Sequence, residues 1–274
     1  MTSHQPLLSV IIPVWNGGQY LEKNLRSLLT QSITDMEIIV VDDGSTDNTP
    51  DILAALQKED GRIQVIRQKN AGVSAARNRA LEVCRGRYIR FVDADDFLPE
   101  DSLKMLVTSM EQNDSDLVIA AYTEVLLGTR TPHDLGKCND TIHNDEFLRR
   151  LEPMANSFYY GVLWNKLFRG DIIRDNALRF DPRLVWAEDF CFVMDYCAHA
   201  ERITYSTELV YDYIRNPKGA VIRHFKRAVL HPIASLKDRY LVYSCYRELY
   251  KRRGAYEKYR RVLWLYLIRF TLRN

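Results

Sequence analysis

The chain has no apolar run long enough to cross a bilayer: Val262–Ile268, the longest late one, stops far short of the about 20 residues that a spanning helix needs. Met1–Pro6 shows neither the basic nor the apolar part of a secretory leader. Cysteine is sparse. The five present (Cys84, Cys138, Cys191, Cys197 and Cys245) form an odd set without a Cys-x-x-Cys pair, which speaks against both a disulfide framework and a thiolate zinc site. A reducing compartment suits that pattern. Neither Gly-x-Gly-x-x-Gly nor Gly-x-x-x-x-Gly-Lys-Ser/Thr occurs, so dinucleotide oxidoreductases and P-loop phosphotransferases are disfavoured. Internal repeats and low-complexity tracts are missing too. The expected location is cytoplasmic, or peripheral on the inner face of the cytoplasmic membrane.

What the chain does have is core-forming material. With 274 residues, 46% hydrophobic and 11% aromatic, it can bury one large domain or one domain with an appendage. Charge is uneven: residues 223–274 hold fourteen Lys/Arg against three Asp/Glu, which leaves the first 222 residues at −9 beneath a whole-chain charge of +2. A basic rear fits nucleic acid, an anionic membrane surface or a solvated helical face, so the motifs must decide.

Short apolar runs alternate with helical patterns through residue 126. Strands are predicted at Leu8–Val14, Glu37–Asp42, Ile63–Arg67, Arg87–Asp93 and Asp116–Glu124, with helices at Gln19–Leu29, Asn48–Lys58, Val73–Val83 and Pro99–Glu111. That rhythm implies βαβ units and a largely parallel sheet whose active groups gather at the carboxyl ends of the strands. Thr129–Asn144 is polar and turn-rich and reads as a surface loop between two halves. Beyond it the pattern predicts a helix at Asn144–Leu151, an aromatic segment Phe158–Phe168, a helix near Glu188–His199, extended chain over Ile203–Ile214 and helices from about Phe225 onward. The organisation expected is a domain over 1–222, with a donor half of about 1–126 and an acceptor half of about 144–222, then a basic helical segment over 223–274.

The fourth predicted strand runs into Asp93-Ala94-Asp95-Asp96. In extended chain, residues two apart face the same way, so Asp93 and Asp95 can converge on one hard cation, Mn²⁺ or Mg²⁺, that would hold a diphosphate. The bland alternative is a capped turn, with Asp96 as N-cap ahead of Pro99. The second strand likewise ends in Asp42-Asp43-Gly44-Ser45-Thr46-Asp47: Asp42 can accept the imide N–H of a uracil, and Asp43 or Ser45 can serve a ribose or shape the turn. An Asx-turn, with Asp47 capping the next helix, is the rival there. Pro13-Val14-Trp15-Asn16 ends the first strand with an aromatic wall and an amide. Between strands three and four, Asn70-Ala71-Gly72 precedes Arg77, which either meets a base carbonyl or phosphate or stands exposed on a helix.

Pro13-Val14-Trp15-Asn16, Val41-Asp42-Asp43-Gly44-Ser45, Gly72 with Ala76-Arg77-Asn78, and Asp93-Ala94-Asp95-Asp96, in that order, closely resemble the family 2 glycosyltransferases. The resemblance covers about residues 7–225. It implies an α/β GT-A (Rossmann-like) fold, a nucleotide-sugar donor such as a UDP-sugar, a metal-binding Asp-x-Asp and an inverting displacement. It places Pro13, Val14, Trp15, Asn16, Asp42, Asp43, Asn70, Gly72, Arg77, Asp93, Ala94 and Arg215 at the donor, with Asp93 and Asp95 on the metal. Trp186-Ala187-Glu188-Asp189-Phe190 is similar to the family's acidic pair at a helix start, which makes Asp189 the catalytic base and Glu188 its support. Helix-start charge complementarity alone is the rival. In Val162–Phe168, also similar to a family stretch, Trp164 and Lys166 are expected at the acceptor, with a carboxylate bridge as the alternative for Lys166. Tyr211-Asp212-Tyr213-Ile214-Arg215-Asn216 is similar to the family's Tyr-x-Tyr-Arg segment, but Gly219-Ala220 stands where many relatives have Ser. His224 is a candidate third metal ligand or a structural residue.

The same resemblance points to a bacterial cell-envelope polysaccharide or lipopolysaccharide-type glycan, with a glycan or lipid-linked glycan as acceptor. Processive relatives carry membrane spans and Gln-x-x-Arg-Trp, both missing, so single addition is expected. In the tail, Tyr259, Val262, Leu263, Tyr266, Leu267 and Phe270 form a helical stripe beside Lys258, Arg260, Arg261, Arg269 and Arg273, which suits an anionic membrane surface or packing on the catalytic domain. Nucleic acid is not expected as a partner. The runners-up are a sugar-nucleotide nucleotidyltransferase, which would show an early glycine-rich basic loop where Pro13–Gly18 stands, and a non-catalytic glycan- or nucleic-acid-binding module.

Overall fold

The computed structural model describes residues 4–134, 140–151, 158–184, 186–215 and 232–272. Four apolar runs build its first half. β1 (Leu8–Val14), β2 (Met36–Asp42), β3 (Ile63–Arg67) and β4 (Tyr88–Phe91) lie in the order β3-β2-β1-β4, all parallel. β1, β2 and β4 are covered on both faces, which is why they read as continuous apolar runs rather than alternating ones. Helices α1 (Leu21–Leu29), α2 (Thr49–Glu59) and α3 (Val73–Leu81) make the crossovers. Strand order runs outward from β1 both ways, to β2 on one side and β4 on the other. The carboxyl ends of β1 and β4 therefore flank a switch point, where open α/β sheets form a ligand crevice.

The second half is woven into the same sheet. After α4 (Ser102–Gln112) come β5 (Leu117–Leu126), β6 (Thr129–His133), β7 (Asp140–His143), α5 (Asn144–Leu151), α6 (Phe158–Gly161), β8 (Lys166–Arg169), α7 (Gly170–Asp175), α8 (Glu188–Cys197), β9 (Arg202–Ile214), α9 (Pro232–Arg252) and α10 (Tyr256–Leu272). The α/β class with a central sheet flanked by helices is as expected. The parallel run, however, stops at β4: β8 slots antiparallel between β4 and β5, β9 runs parallel to β5, and β7 closes the far side antiparallel to β9. The polar stretch read as a loop is partly strand. β6 folds back on β5 through Leu127-Gly128, both at positive φ as a tight hairpin turn requires, and stays polar because it is exposed.

An aromatic seam seats α8 on the sheet. Phe180 stacks on Phe192 of α8 at 4.1 Å between centroids, and Phe91 of β4 meets both edge-on at 5.4 and 5.6 Å. Such pairs add about 0.5–1.5 kcal/mol each beyond the area they bury. On its outer side α8 carries α9, with Phe190 on Tyr246 at 4.7 Å and Arg252 paired with Asp195, while Tyr250 Oη of α9 reaches α5 and donates to the Leu148 carbonyl at 2.7 Å. The expectation of no disulfide is overturned here, because Cys191 of α8 is bonded to Cys245 of α9, with Cα atoms 5.4 Å apart. Docking of α9 brings together two cysteines 54 residues apart, which spacing alone does not announce. Cys84 and Cys197 are free and buried.

α9 ends at Gly254, whose φ of +66° and the Ala255 N–H to Tyr250 carbonyl bond of 2.8 Å form a Schellman stop. α10 then folds back, with Tyr259 against Tyr250 at 5.1 Å and Leu263 buried, so this part of the stripe is used in packing. Trp264 stays exposed. His224 and Gly219-Ala220 lie outside the described residues. Among the described residues, no helix is long and apolar enough to cross a membrane.

Candidate active site

The loops after β1 and β2 are clipped together. Asn16 N donates to Ser45 Oγ and Thr46 N donates to Asn16 Oδ1, each at 2.8 Å. Trp15, beyond half-buried Pro13 and buried Val14, projects into solvent with 59% of its surface exposed, which a merely structural tryptophan would avoid. Asp42 is buried; Oδ1 accepts from Ser45 N at 2.8 Å, while Oδ2 has no hydrogen-bond donor among the described residues and lies 3.4 Å from Arg67 Nε. Asp43 shapes its neighbour instead: it accepts from Gln68 Nε2 (2.8 Å), Ala71 N (2.9 Å) and Gly72 N (2.8 Å), which fixes the exposed loop of Asn70 and Gly72. Gly44 must be glycine on two counts, a φ of +76° and an Asn70 backbone nitrogen 2.8 Å from where a Cβ would sit.

At the end of β4 the four acidic-loop residues separate into roles. Asp96 is buried and does not cap a helix; its carboxylate accepts from Tyr211 Oη (2.9 Å) and Ile214 N (2.8 Å), tying the loop to β9. Tyr211 Oη in turn accepts from Asp93 N at 3.1 Å, and Asn24 of α1 donates to the Asp93 and Asp96 carbonyls. Ala94 is half-buried, Asp93 is half-open, and Asp95 points outward exposed. Two open carboxylates, of which Asp95 meets no protein cation among the described residues, form an oxygen-only donor set suited to a hard divalent ion. No group of three or more His, Cys, Asp or Glu side chains gathers as a ready metal cage among the described residues.

Arg77 is not the exposed helical arginine that stood as the alternative reading. Its side chain is 4% exposed and its guanidinium faces three carboxylates: Asp93 at 3.1 Å, Glu188 at 3.3 Å and Asp189 in close contact. Phe180 lies under it at 5.4 Å, and Asn78 clamps the Phe180 backbone with two bonds of 2.8 Å. Glu188 and Asp189 occupy the first turn of α8, where the helix dipole favours negative charge. Burial pushes the Asp189 carboxyl above the usual range; Arg77 pulls it back, and Glu188 and Asp93 push it further up.

Trp164 and Lys166 are not at an open surface. Trp164 is buried, lying flat against Tyr211 at 4.6 Å and Tyr213 at 5.2 Å. The Lys166 ammonium donates to the Tyr159 carbonyl (2.9 Å), the Val162 carbonyl and Asn165 Oδ1 (2.8 Å), and burial pulls its pKa down to about 7. In this structure Trp164 packs in the core and Lys166 holds the turn ahead of β8. Arg215 at the end of β9 pairs with Glu124 at 2.8 Å. Sequence reasoning missed Tyr211 as the anchor of the acidic loop and Arg90, which is fully buried in β4 with Nη2 on the Val210 carbonyl at 2.8 Å.

A parallel β3-β2-β1-β4 half with acidic loops at its carboxyl edge, joined to a mixed half that brings in a helix-borne acid pair, defines the GT-A class of α/β fold. Residues 9–172 match the family described as Glycosyl transferase family 2, and the chain belongs to that family. It is similar to an uncharacterized glycosyltransferase, EpsJ, of Bacillus subtilis (33% identity over 226 residues, 82% of this chain and 65% of the relative). It is also similar to a putative teichuronic acid biosynthesis glycosyltransferase, TuaG, of the same organism (46% over 158 residues, 57% and 60%). Among solved structures, S. aureus TarS in complex with UDP-GlcNAc superposes with a TM-score of 0.71 at 26% identity, over 87% of this chain and 66% of that one. The chain spans 60 to 65% of the length of the first curated relatives it matches.

Proposed function

We propose that the protein transfers one sugar from a UDP-sugar to an acceptor hydroxyl with inversion, in the assembly of a bacterial cell-envelope glycan. The observation that carries this reading is the meeting of Asp93, from the donor side, with Glu188 and Asp189, from the second half, at the carboxyl edge of β4. The family membership and the UDP-GlcNAc complex of TarS support a nucleotide-sugar donor, and the name of TuaG supports an envelope glycan.

In this mechanism Trp15 and Asn16 flank the nucleobase, and Asp42 accepts an imide N–H on Oδ2, the oxygen that faces Arg67. Asn70, Gly72 and Arg215 border the donor. Asp93 and Asp95 would hold Mn²⁺ or Mg²⁺, which when bound supplies positive charge for the departing diphosphate. Asp189 takes the proton from the acceptor hydroxyl as that oxygen attacks the anomeric carbon opposite the leaving UDP. An alcohol is a poor nucleophile, and such help is worth about 10²–10⁴-fold. Glu188 orients the base or the acceptor. A membrane-bound acceptor would be met through residues 223–274, where exposed Trp264 stands beside exposed Lys258, Arg260 and Arg261.

The test is a panel of UDP-sugars with Mn²⁺, scored for thermal stabilisation, slow hydrolysis and transfer to glycan acceptors, with and without anionic vesicles. Donor hydrolysis that depends on the cation and disappears in Asp189→Asn is expected. No response to any nucleotide sugar would end the proposal, and no flotation with anionic vesicles would remove its membrane part.

A further inference from the structure

We propose that Arg77 is a positioning residue that links the donor end of the cleft to the catalytic base, and not a donor contact. This rests on the proposed transfer reaction. Arg77 belongs to the first half of the chain, yet two of its three carboxylate partners lie 111 and 112 residues further on, in the first turn of α8. Nη1 faces Glu188 and Asp189, while Nη2 faces Asp93. A guanidinium is a planar fork whose nitrogens cannot move independently, so the places of Asp93 and Asp189 are mechanically tied through it.

Three of the guanidinium's five N–H groups are engaged and the side chain is only 4% exposed, so a base carbonyl or a phosphate would have to reach the remaining two through the enclosing carboxylates. Nε is buried and has no hydrogen-bond acceptor among the described residues. Three carboxylates face a single cation, an arrangement that is costly unless further positive charge arrives. Asp93 is at once Arg77's partner and a member of the open oxygen set at the end of β4, so charge that arrives there is felt through the fork at Asp189. The surroundings are built to keep the fork still: the Phe180 ring lies under it, and the two Asn78 bonds fix the backbone of Phe180 just ahead of α8.

Positioning and donor contact predict different losses. A misplaced base loses on the order of 10²-fold in kcat while donor affinity survives; a lost donor contact raises the donor KM first. The experiment uses the full chain with Arg77→Gln and with Arg77→Lys, which keeps a charge but not the fork. It measures thermal melting, calorimetric binding of UDP with Mn²⁺, and steady-state transfer. The expected result is UDP affinity within about threefold of the parent and kcat down about 10²-fold in both variants, with Asp189→Asn adding little on top of Arg77→Gln, as for residues that act as a unit. Loss of UDP affinity at preserved kcat in either folded variant would overturn the proposal, as would near-parental kcat in Arg77→Lys. If Arg77→Gln does not fold, Arg77→Lys alone decides. A parent protein that binds no UDP and transfers no sugar would instead sink the reaction itself, which keeps the two failures distinct.

Discussion

Cys191 of α8 is joined to Cys245 of α9 two residues past Asp189, so the helix that presents the candidate base is covalently held to the C-terminal helical segment. The bond closes a loop of 54 residues. By chain entropy, closing such a loop disfavours the unfolded state by up to about 4 kcal/mol, and native disulfides typically contribute about 2–4 kcal/mol. Reduction, or Cys245→Ser, is expected to lower the thermal midpoint by roughly 5–10 °C for a chain of this size. Melting curves with and without a dithiol reductant check this; coincident curves would show that the docking of α9 needs no bond.

Lys166 offers a second stability prediction, one that separates packing from acceptor binding. Its ammonium donates to Tyr159 in α6 and to Val162 and Asn165 ahead of β8, and removing it takes the donor from the Val162 carbonyl and Asn165 Oδ1, while the Tyr159 carbonyl keeps the Asn165 amide at 3.2 Å. Lys166→Met is expected to destabilise by about 2–4 kcal/mol. At a temperature where the variant is folded, its acceptor KM should match the parent's. A raised acceptor KM at unchanged stability would return Lys166 to the acceptor site.

Much of this architecture is legible locally. Leu8–Val14 and Ile63–Arg67 are strands over the predicted spans, because an apolar run bounded by turn residues carries its own instructions. What escapes local reading is partner choice across the fold. β8 is only four residues long, and nothing in Lys166–Arg169 says that it will sit between β4 and β5. Arg77 looks like an outward cation until residues 111 and 112 positions away close over it. Asp96 reads as a helix cap, yet it bonds Tyr211 on β9, and Arg90 hides inside an apolar strand because the Tyr211 ring and the Val210 carbonyl receive it. In each case the missing information is tertiary.

Asp95 and Asp93 should differ when each is changed to asparagine. Asp95 is exposed and meets no cation among the described residues, so Asp95→Asn is expected to leave the melting temperature unchanged while cutting Mn²⁺-dependent UDP binding on the order of 10²-fold. Asp93→Asn removes both an open carboxylate and a partner of Arg77, and should lower donor binding and kcat together. Calorimetry with UDP and Mn²⁺ beside kinetics on the same samples checks both. Donor binding untouched in both variants would move the cation elsewhere.

The pH dependence of turnover follows from the acid pair. Burial raises the Asp189 carboxyl, and the neighbouring charges of Glu188 and Asp93 raise it further, while Arg77 opposes them. A base acts only when deprotonated, so a raised pKa moves the acidic limb of the kcat profile upward from the ordinary carboxylate value near about 4. Activity should therefore climb as pH rises through mildly acid to neutral values. Because Arg77 is the group that lowers Asp189, Arg77→Gln should carry the limb higher still, and Arg77→Lys should place it between that variant and the parent. Profiles of kcat at saturating donor and cation measure this directly. A limb that begins near pH 4 in the parent and stays put in both variants would mean that Asp189 is not the group that takes the proton.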